Sequence, residues 1–146
     1  MVVDAPGSDC DYHGALVVVE TGQGEIVLIH PLGGTVDAPA SLPSDPCDPG
    51  EAPEDAAIRI VKEKTGLDVA ITREFITFRQ EGTPTGTMFA HGYIAGITGG
   101  VLLDDGPEGA AKVYSITDLP DIVPVRVANR RTLDEYLRQR GDVIDQ

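Results

Sequence analysis

The stretch from 42 to 69, LPSDPCDPGEAPEDAAIRIVKEKTGLDV, constrains the chain more than any other. It passes from a loop rich in Pro and Asp into a short helix and then into a strand. Pro53 suits the first helical turn, where its missing N–H has no intrahelical partner to lose. Glu54 and Asp55 place negative charge at the positive end of the helix dipole. Ala56, Ala57, Ile58, Ile60 and Val61 favour or tolerate helix, and Gly66 stands where a left-handed C-cap belongs. The pattern predicts a helix over 53–65.

Around this unit the chain supplies strands. Residues 13–20 (HGALVVVE) form a continuous apolar run, the pattern of a strand buried on both faces. A Thr-Gly-Gln-Gly turn joins it to a second strand over 25–30, giving a hairpin. Residues 31–49, rich in Pro, Gly, Ser and Asp, are expected to hold little regular structure. Residues 68–80 alternate apolar and polar as a half-buried strand does, and Gly82 to Gly86 turns the chain into a partner strand over 87–97. Thr98-Gly99-Gly100 is expected to break that strand, and 101–103 to extend it briefly. A short strand over 112–116 and a turn over 117–121 precede a helix over 125–140, with Leu133, Tyr136 and Leu137 on its buried face. Two helices and strands of mixed pairing read as α+β or as an α/β/α sandwich.

At 146 residues there is room for one core, so the expected organisation is a loose arm over 1–11, one domain over 12–141 and a tail over 142–146. A net charge of −13 opposes non-specific binding to nucleic acid or to an anionic membrane. A phosphate-bearing ligand therefore needs local screening by Lys, Arg or metal ions. Cys10 and Cys47 lie in loop-like sequence; they read as free thiols in a reducing compartment, with a disulfide as the alternative. The N-terminal sequence has neither a basic region nor a long apolar run, so no signal peptide is expected, no run approaches membrane-spanning length, and the expected location is the cytoplasm.

The stretch 45–67 resembles the Nudix box of the MutT/Nudix hydrolase family, G-x5-E-x7-R-E-U-x-E-E-x-G-U with U aliphatic. Glu51, Arg59, Val61, Glu63, Gly66 and Leu67 fall in register. The resemblance is specific over 42–69 and agrees in element order over 13–140. It implies a Nudix-type α/β/α sandwich with a central mixed sheet, a small nucleotide-type substrate and divalent cations. Homodimers are common in the family, so it also allows a homodimer.

The departures bear on chemistry. Asp45 stands at the box Gly, Ile60 at the Glu after Arg59, and Lys64 at the second of the paired glutamates. In the family those three glutamates lie at i, i+3 and i+4 on one helix face and hold the cations that bind the diphosphate. Here that face reads Ile60, Glu63, Lys64. The resemblance assigns Glu51 and Arg59 to a clasp between loop and helix, and a charge-assisted bond between them fits that role. Glu63 is the surviving metal ligand by resemblance, and as a lone carboxylate it holds Mg²⁺ or Mn²⁺ weakly; the alternative is a helix-surface Glu beside Lys62 and Lys64. Glu108, in PEGAAKVY, matches the loop glutamate that supplies a further ligand or the general base in many members; the alternative is a solvated acidic loop with Asp104 and Asp105. Lys64 is a candidate point charge for a substrate phosphate, with Ile60 lining an apolar cleft, and the alternative is a decayed or repurposed site. Asp45 is a candidate for restoring lost negative charge beside the substrate; the alternative is an Asp in a Pro-rich turn.

Arg126, Arg130 and Arg131 form a basic patch at the start of the last helix, which reads as a solvated face or as phosphate contacts. His13, His30 and His91 lie in expected strands without metal-ligand spacing and read as core or edge residues. Two functions stay open: metal-assisted hydrolysis of a nucleoside diphosphate linked to another moiety, with Glu63 and Glu108 holding the cation, and binding of a nucleotide or metabolite without turnover.

Overall fold

The structure is a computed structural model that describes residues 12–31, 40–83, 86–103, 109–118 and 127–140. In chain order it has strands β1 (Tyr12–Glu20), β2 (Glu25–Pro31) and β3 (Ser44–Pro46), helix α1 (Pro53–Thr65), strands β4 (Leu67–Thr83), β5 (Gly86–Gly100) and β6 (Gly109–Ser115), a 3-10 turn (Ile116–Asp118) and helix α2 (Val127–Arg140). The sheet runs β4-β5-β1-β2-β6, with β3 paired to β1 off that path.

The apolar run expected to be buried on both faces is the centre of the sheet. Gly14 to Val19 are all buried. On one face Ala15, Val17 and Val19 meet Ala56, Ala57, Ile60 and Val61 of α1. On the other, Val18 joins Ile26, Leu28, Ile94 and the α2 residues Leu133, Tyr136 and Leu137. The helices therefore cover opposite faces of a mixed sheet, the expected α/β/α sandwich. No helix among the described residues is long and apolar enough to cross a membrane.

Buried backbone must be hydrogen-bonded, and β1 finds partners along both edges. β5 runs parallel to it from Tyr12↔Met88 to Glu20↔Gly96. On the other edge β2 pairs near the hairpin turn, at Glu20↔Ile26, and then diverges to pair with β6. The vacated edge of β1 is taken by β3 through Gly14↔Pro46, Ala15↔Asp45 and Leu16↔Ser44. The loop expected over 31–49 thus contains a strand. It also places Ala40 and Leu42 in the core and bridges Ser41 to Ile29. Its prolines conceal this, since composition reports local preference and not the edge that needs filling.

α1 has the expected bounds. Gly66 closes it at φ +81°, donating its N–H to the Lys62 carbonyl (3.0 Å). Thr98-Gly99-Gly100 does not break β5 as expected: Gly99 and Gly100 pair with Asp68 and Leu67. Residues 101–103 form no strand extension. They wrap the end of α1, where Val101 N–H reaches the Gly66 carbonyl (3.3 Å) and Leu103 N–H the Thr65 carbonyl (2.9 Å). These bonds satisfy carbonyls that a helix terminus leaves open. β4 is an edge strand with four register shifts against β5, irregularities that keep an edge from pairing with another chain.

A Cβ on Gly66 would lie 2.2 Å from the Val101 carbonyl oxygen, on a backbone already left-handed. Gly66→Ala is expected to cost more than about 1 kcal/mol, since the left-handed conformation alone costs that much for an L-residue. Urea unfolding of the two proteins, compared at equal slope, measures it.

Candidate functional site

The loop before α1 is tied to the helix by Arg59. Its Nε and Nη2 donate to Oε2 and Oε1 of Glu51, both at 2.9 Å, the paired fork geometry that a guanidinium and a carboxylate favour. Glu51 Oε1 also accepts the Asp48 N–H (2.9 Å), and the Glu51 N–H donates to the Asp48 carbonyl (2.9 Å). The expected clasp is therefore present, and Asp48 belongs to it, with its carboxylate 3.7 Å from Arg59 Nε. Asp48 lies three residues before Glu51, a spacing that marks a turn; only the fold shows that the turn presents its N–H to the clasp.

Arg59 reaches further. Nη2 donates to the Pro46 carbonyl of β3 (3.4 Å) and Nη1 to Glu63 Oε1 (3.0 Å). One guanidinium thus joins β3, the loop and the exposed face of α1. Its bonds to Glu51, and then the nearby carboxylates, raise its proton affinity still further. The same bonds, Arg59 first and the Asp48 N–H second, hold the Glu51 carboxyl below its usual value. Beside the clasp, Cys47 is half-buried and a free thiol; burial and then Glu51 push its ionisation upward.

Ile60, Glu63 and Lys64 share one arc of α1 but differ in burial. Ile60 is wholly buried against the sheet, Lys64 is half-buried and Glu63 is exposed. The reason is the position of the apolar stripe: Ala56, Ala57, Ile60 and Val61 are the residues that α1 turns to the sheet. Ile60 accordingly lines no open cleft. Full burial of such a side chain contributes about 1.5–3 kcal/mol, so this position serves the core and offers no donor to a metal.

Asp45 is exposed on β3 opposite Ala15. Glu108 and Arg126 lie outside the described residues, as do Asp104, Asp105 and Cys10. Arg131 lies over the Phe78 ring at 4.6 Å, packed against β4. Tyr136 donates its hydroxyl to Glu20 Oε2 (2.6 Å) beside a cavity of about 150 Å³ lined also by Gly22, Gly24, Glu25 and Ile116. That cavity lies on the α2 side of the sheet, away from the clasp.

Among the described residues no group of three or more His, Cys, Asp or Glu is placed to hold a metal. Glu63 alone fits one mode of binding. Mg²⁺ accepts one or two carboxylates and completes its shell with substrate phosphates and water.

A family model described as NUDIX domain matches residues 13–136. A protein of Bacillus subtilis (strain 168) named putative 8-oxo-dGTP diphosphatase is 33% identical over 89% of this chain and 83% of its own length. The NAD-capped RNA hydrolase NudC of Vibrio atlanticus is 35% identical over 58% of this chain, which spans 31% of that protein. Among solved structures, the E. coli ORF135 protein superposes with a TM-score of 0.72 at 16% identity, over 90% of this chain and 91% of that one. An ADP-ribose pyrophosphatase from Streptococcus suis does so with a TM-score of 0.68 at 20% identity, over 88% and 91%.

The folded state binds a proton at Glu51 less readily than the unfolded chain does. The stability this group contributes is full above its ordinary value of 4.5 and is lost as pH falls through its lower folded value. Wild type is expected to melt above Glu51→Gln at neutral pH, with the gap closing in acid. Melting curves of both proteins across that range check it.

Proposed function

The chain belongs to the Nudix family, and on that premise we propose that it hydrolyses a nucleoside diphosphate linked to another moiety. The observation that carries this reading is the Arg59 clasp, which joins the box loop and Glu63 through one guanidinium. The Arg59–Glu63 pair, at i,i+4 on the helix, supports the reading by placing this carboxylate beside the loop.

In the reaction the oxygen of a water bonds to one phosphorus, the bond from that phosphorus to the bridging oxygen breaks, and the leaving phosphate keeps the electron pair. The water's proton passes to a carboxylate, a role assigned to Glu108. Glu63 and Glu108 would hold Mg²⁺ or Mn²⁺, weakly and together with the substrate; when bound, the cation supplies positive charge that polarises the phosphoryl oxygens. Arg59 fixes the Glu63 carboxylate. Lys64 is assigned to a substrate phosphate as a point charge, and Asp45, exposed on β3, to the substrate side of the cation. With a net charge of −13, such local cations are required before a polyphosphate can approach.

The names of the relatives differ in the group attached to the diphosphate, so the substrate class is set by assay. Product release is measured with Mg²⁺ or Mn²⁺ on 8-oxo-dGTP, other nucleoside triphosphates, dinucleotides, ADP-ribose and nucleotide sugars. The expected result is turnover on at least one compound, dependent on the cation, that falls about 10²-fold or more in Glu63→Gln. Equal turnover in that variant removes Glu63 from the mechanism.

One observation favours a second reading, binding without turnover: Ile60 is fully buried where the family places a glutamate. On that reading the native protein turns over none of the panel, yet one of its compounds raises the melting temperature. Restoring Glu at 60 would bury a charge in an apolar cluster, so Lys64→Glu, at a half-buried site, is the better restoration. Its gain of activity over an inactive native protein would establish the binding reading.

A further inference from the structure

Three side chains from three adjacent strands form a row across the sheet that the hydrolytic reading does not use. Glu74 of β4 accepts from His91 Nδ1 of β5 (2.8 Å), and His91 Nε2 lies 3.0 Å from His13 Nδ1 of β1. His91 is 7% exposed, His13 half-buried and the Glu74 side chain 39% exposed. The two imidazole centres are 5.2 Å apart at an interplanar angle of 24°. That separation is close to the N···N distance plus two ring radii, so the rings meet edge to edge in nearly one plane. Their lone-pair directions oppose each other and one proton fits between them. Phe89 packs edge-on against both rings, and Tyr93 stacks beyond His91.

A neutral imidazole has one donor and one acceptor. Because the Glu74 carboxylate takes His91 Nδ1–H, His91 Nε2 is the acceptor and His13 Nδ1–H the donor. A proton added at His13 Nε2 can be balanced without breaking either bond. The proton on His13 Nδ1 crosses to His91 Nε2, His13 becomes the neutral Nε2–H tautomer, and the positive charge resides on His91 beside Glu74. A second added proton leaves a donor facing a donor.

We propose that Glu74, His91 and His13 form a proton relay that takes up one proton at His13 Nε2 with both hydrogen bonds kept, and that a second proton severs the His13–His91 link and loosens the start of β1. That end of β1 bears on the box loop. The His13 carbonyl accepts the Cys47 N–H (2.9 Å), and the preceding Pro46 carbonyl accepts from Arg59. Acidification would thus slacken the strand to which the clasp is anchored. The inference does not depend on whether the protein hydrolyses anything.

Among the described residues the other ionisable groups near the row are Arg79 of β4, opposite Phe89; Tyr93 of β5; Asp45 of β3, opposite Ala15, which pairs with His91; Cys47 after β3; and Glu54 in the first turn of α1, close to Tyr93. Burial holds both the Tyr93 phenol and the Cys47 thiol protonated well beyond the range in which imidazoles titrate. Burial, and then the neighbouring His91, also keep His13 from charging at its usual pH.

Imidazole ¹⁵N spectra of the intact protein are followed from mildly alkaline to acid pH, beside Glu74→Gln and His13→Gln. The expected result is two coupled steps. In the first, His91 becomes doubly protonated while His13 changes from the Nδ1–H to the Nε2–H form; in Glu74→Gln this step needs more acid than in wild type, because the counter-charge is gone. Independent titration of the two rings, or a first proton that stays on His13, overturns the relay. Amide exchange at Cys47, corrected for intrinsic rate, is expected to quicken at least threefold through the second step in wild type and not in His13→Gln. Unchanged exchange in wild type overturns the loosening of β1. Glu74→Gln alters an exposed group and tests the relay even if His13→Gln fails to fold.

Discussion

The backbone of β1 is the constraint from which the rest of the architecture follows. A strand whose central residues are buried on both faces has no water to satisfy its N–H and C=O groups. It must therefore be flanked along its length. β5 supplies one edge, and the other is divided between β2 and β3 because β2 turns away to meet β6. The parallel pairing with β5 requires a long crossover. The chain between them holds β2, β3, α1 and β4, and the box helix lies across the face where Ala15, Val17 and Val19 need cover. The place of the candidate site is thus a consequence of covering β1.

α1 has two tasks that compete for the same residues. Its inner stripe closes one face of the core, and its outer residues hold the loop and whatever that loop binds. Ile60 has gone wholly to the core, whereas Arg59, one residue earlier, lies at the boundary and gathers Glu51, Glu63 and the Pro46 carbonyl. Such partly exposed ion pairs contribute little stability when isolated. Shared on one guanidinium, they instead fix relative positions. The consequence is geometric: Glu63, though exposed, is tied to the same guanidinium as the loop.

Much of this was legible in the chain. Pro53, the acidic first turn and Gly66 fixed both ends of α1, because helix termini are decided by residues within one turn. The run over 13–20 announced a strand buried on both sides, and Leu133, Tyr136 and Leu137 announced the buried face of α2, because periodicity is local. The resemblance over the box named Glu51 and Arg59 as partners, and the two are bonded in the structure. Less was legible wherever the deciding partner is distant in sequence. β3 hides among prolines because its reason to exist is the open edge of β1. Gly99 and Gly100 look like strand breakers, yet they continue β5 by pairing with Asp68 and Leu67, and at Gly100 the Gly66 carbonyl comes so close that little beyond a hydrogen fits.

The sequence by itself determined the family, the loop-helix unit and the placing of Ile60 and Lys64 on its helix, since each of these depends on residue identities at short fixed spacing. Only the tertiary structure decided that Ile60 faces the core rather than a cleft, that Arg59 extends to Glu63 and β3, and that His13 meets His91 across 78 residues of chain. The reason is physical. Helix caps and spacing are set within a few residues, whereas burial, ion-pair partners and proton sharing are set by whichever strands lie side by side.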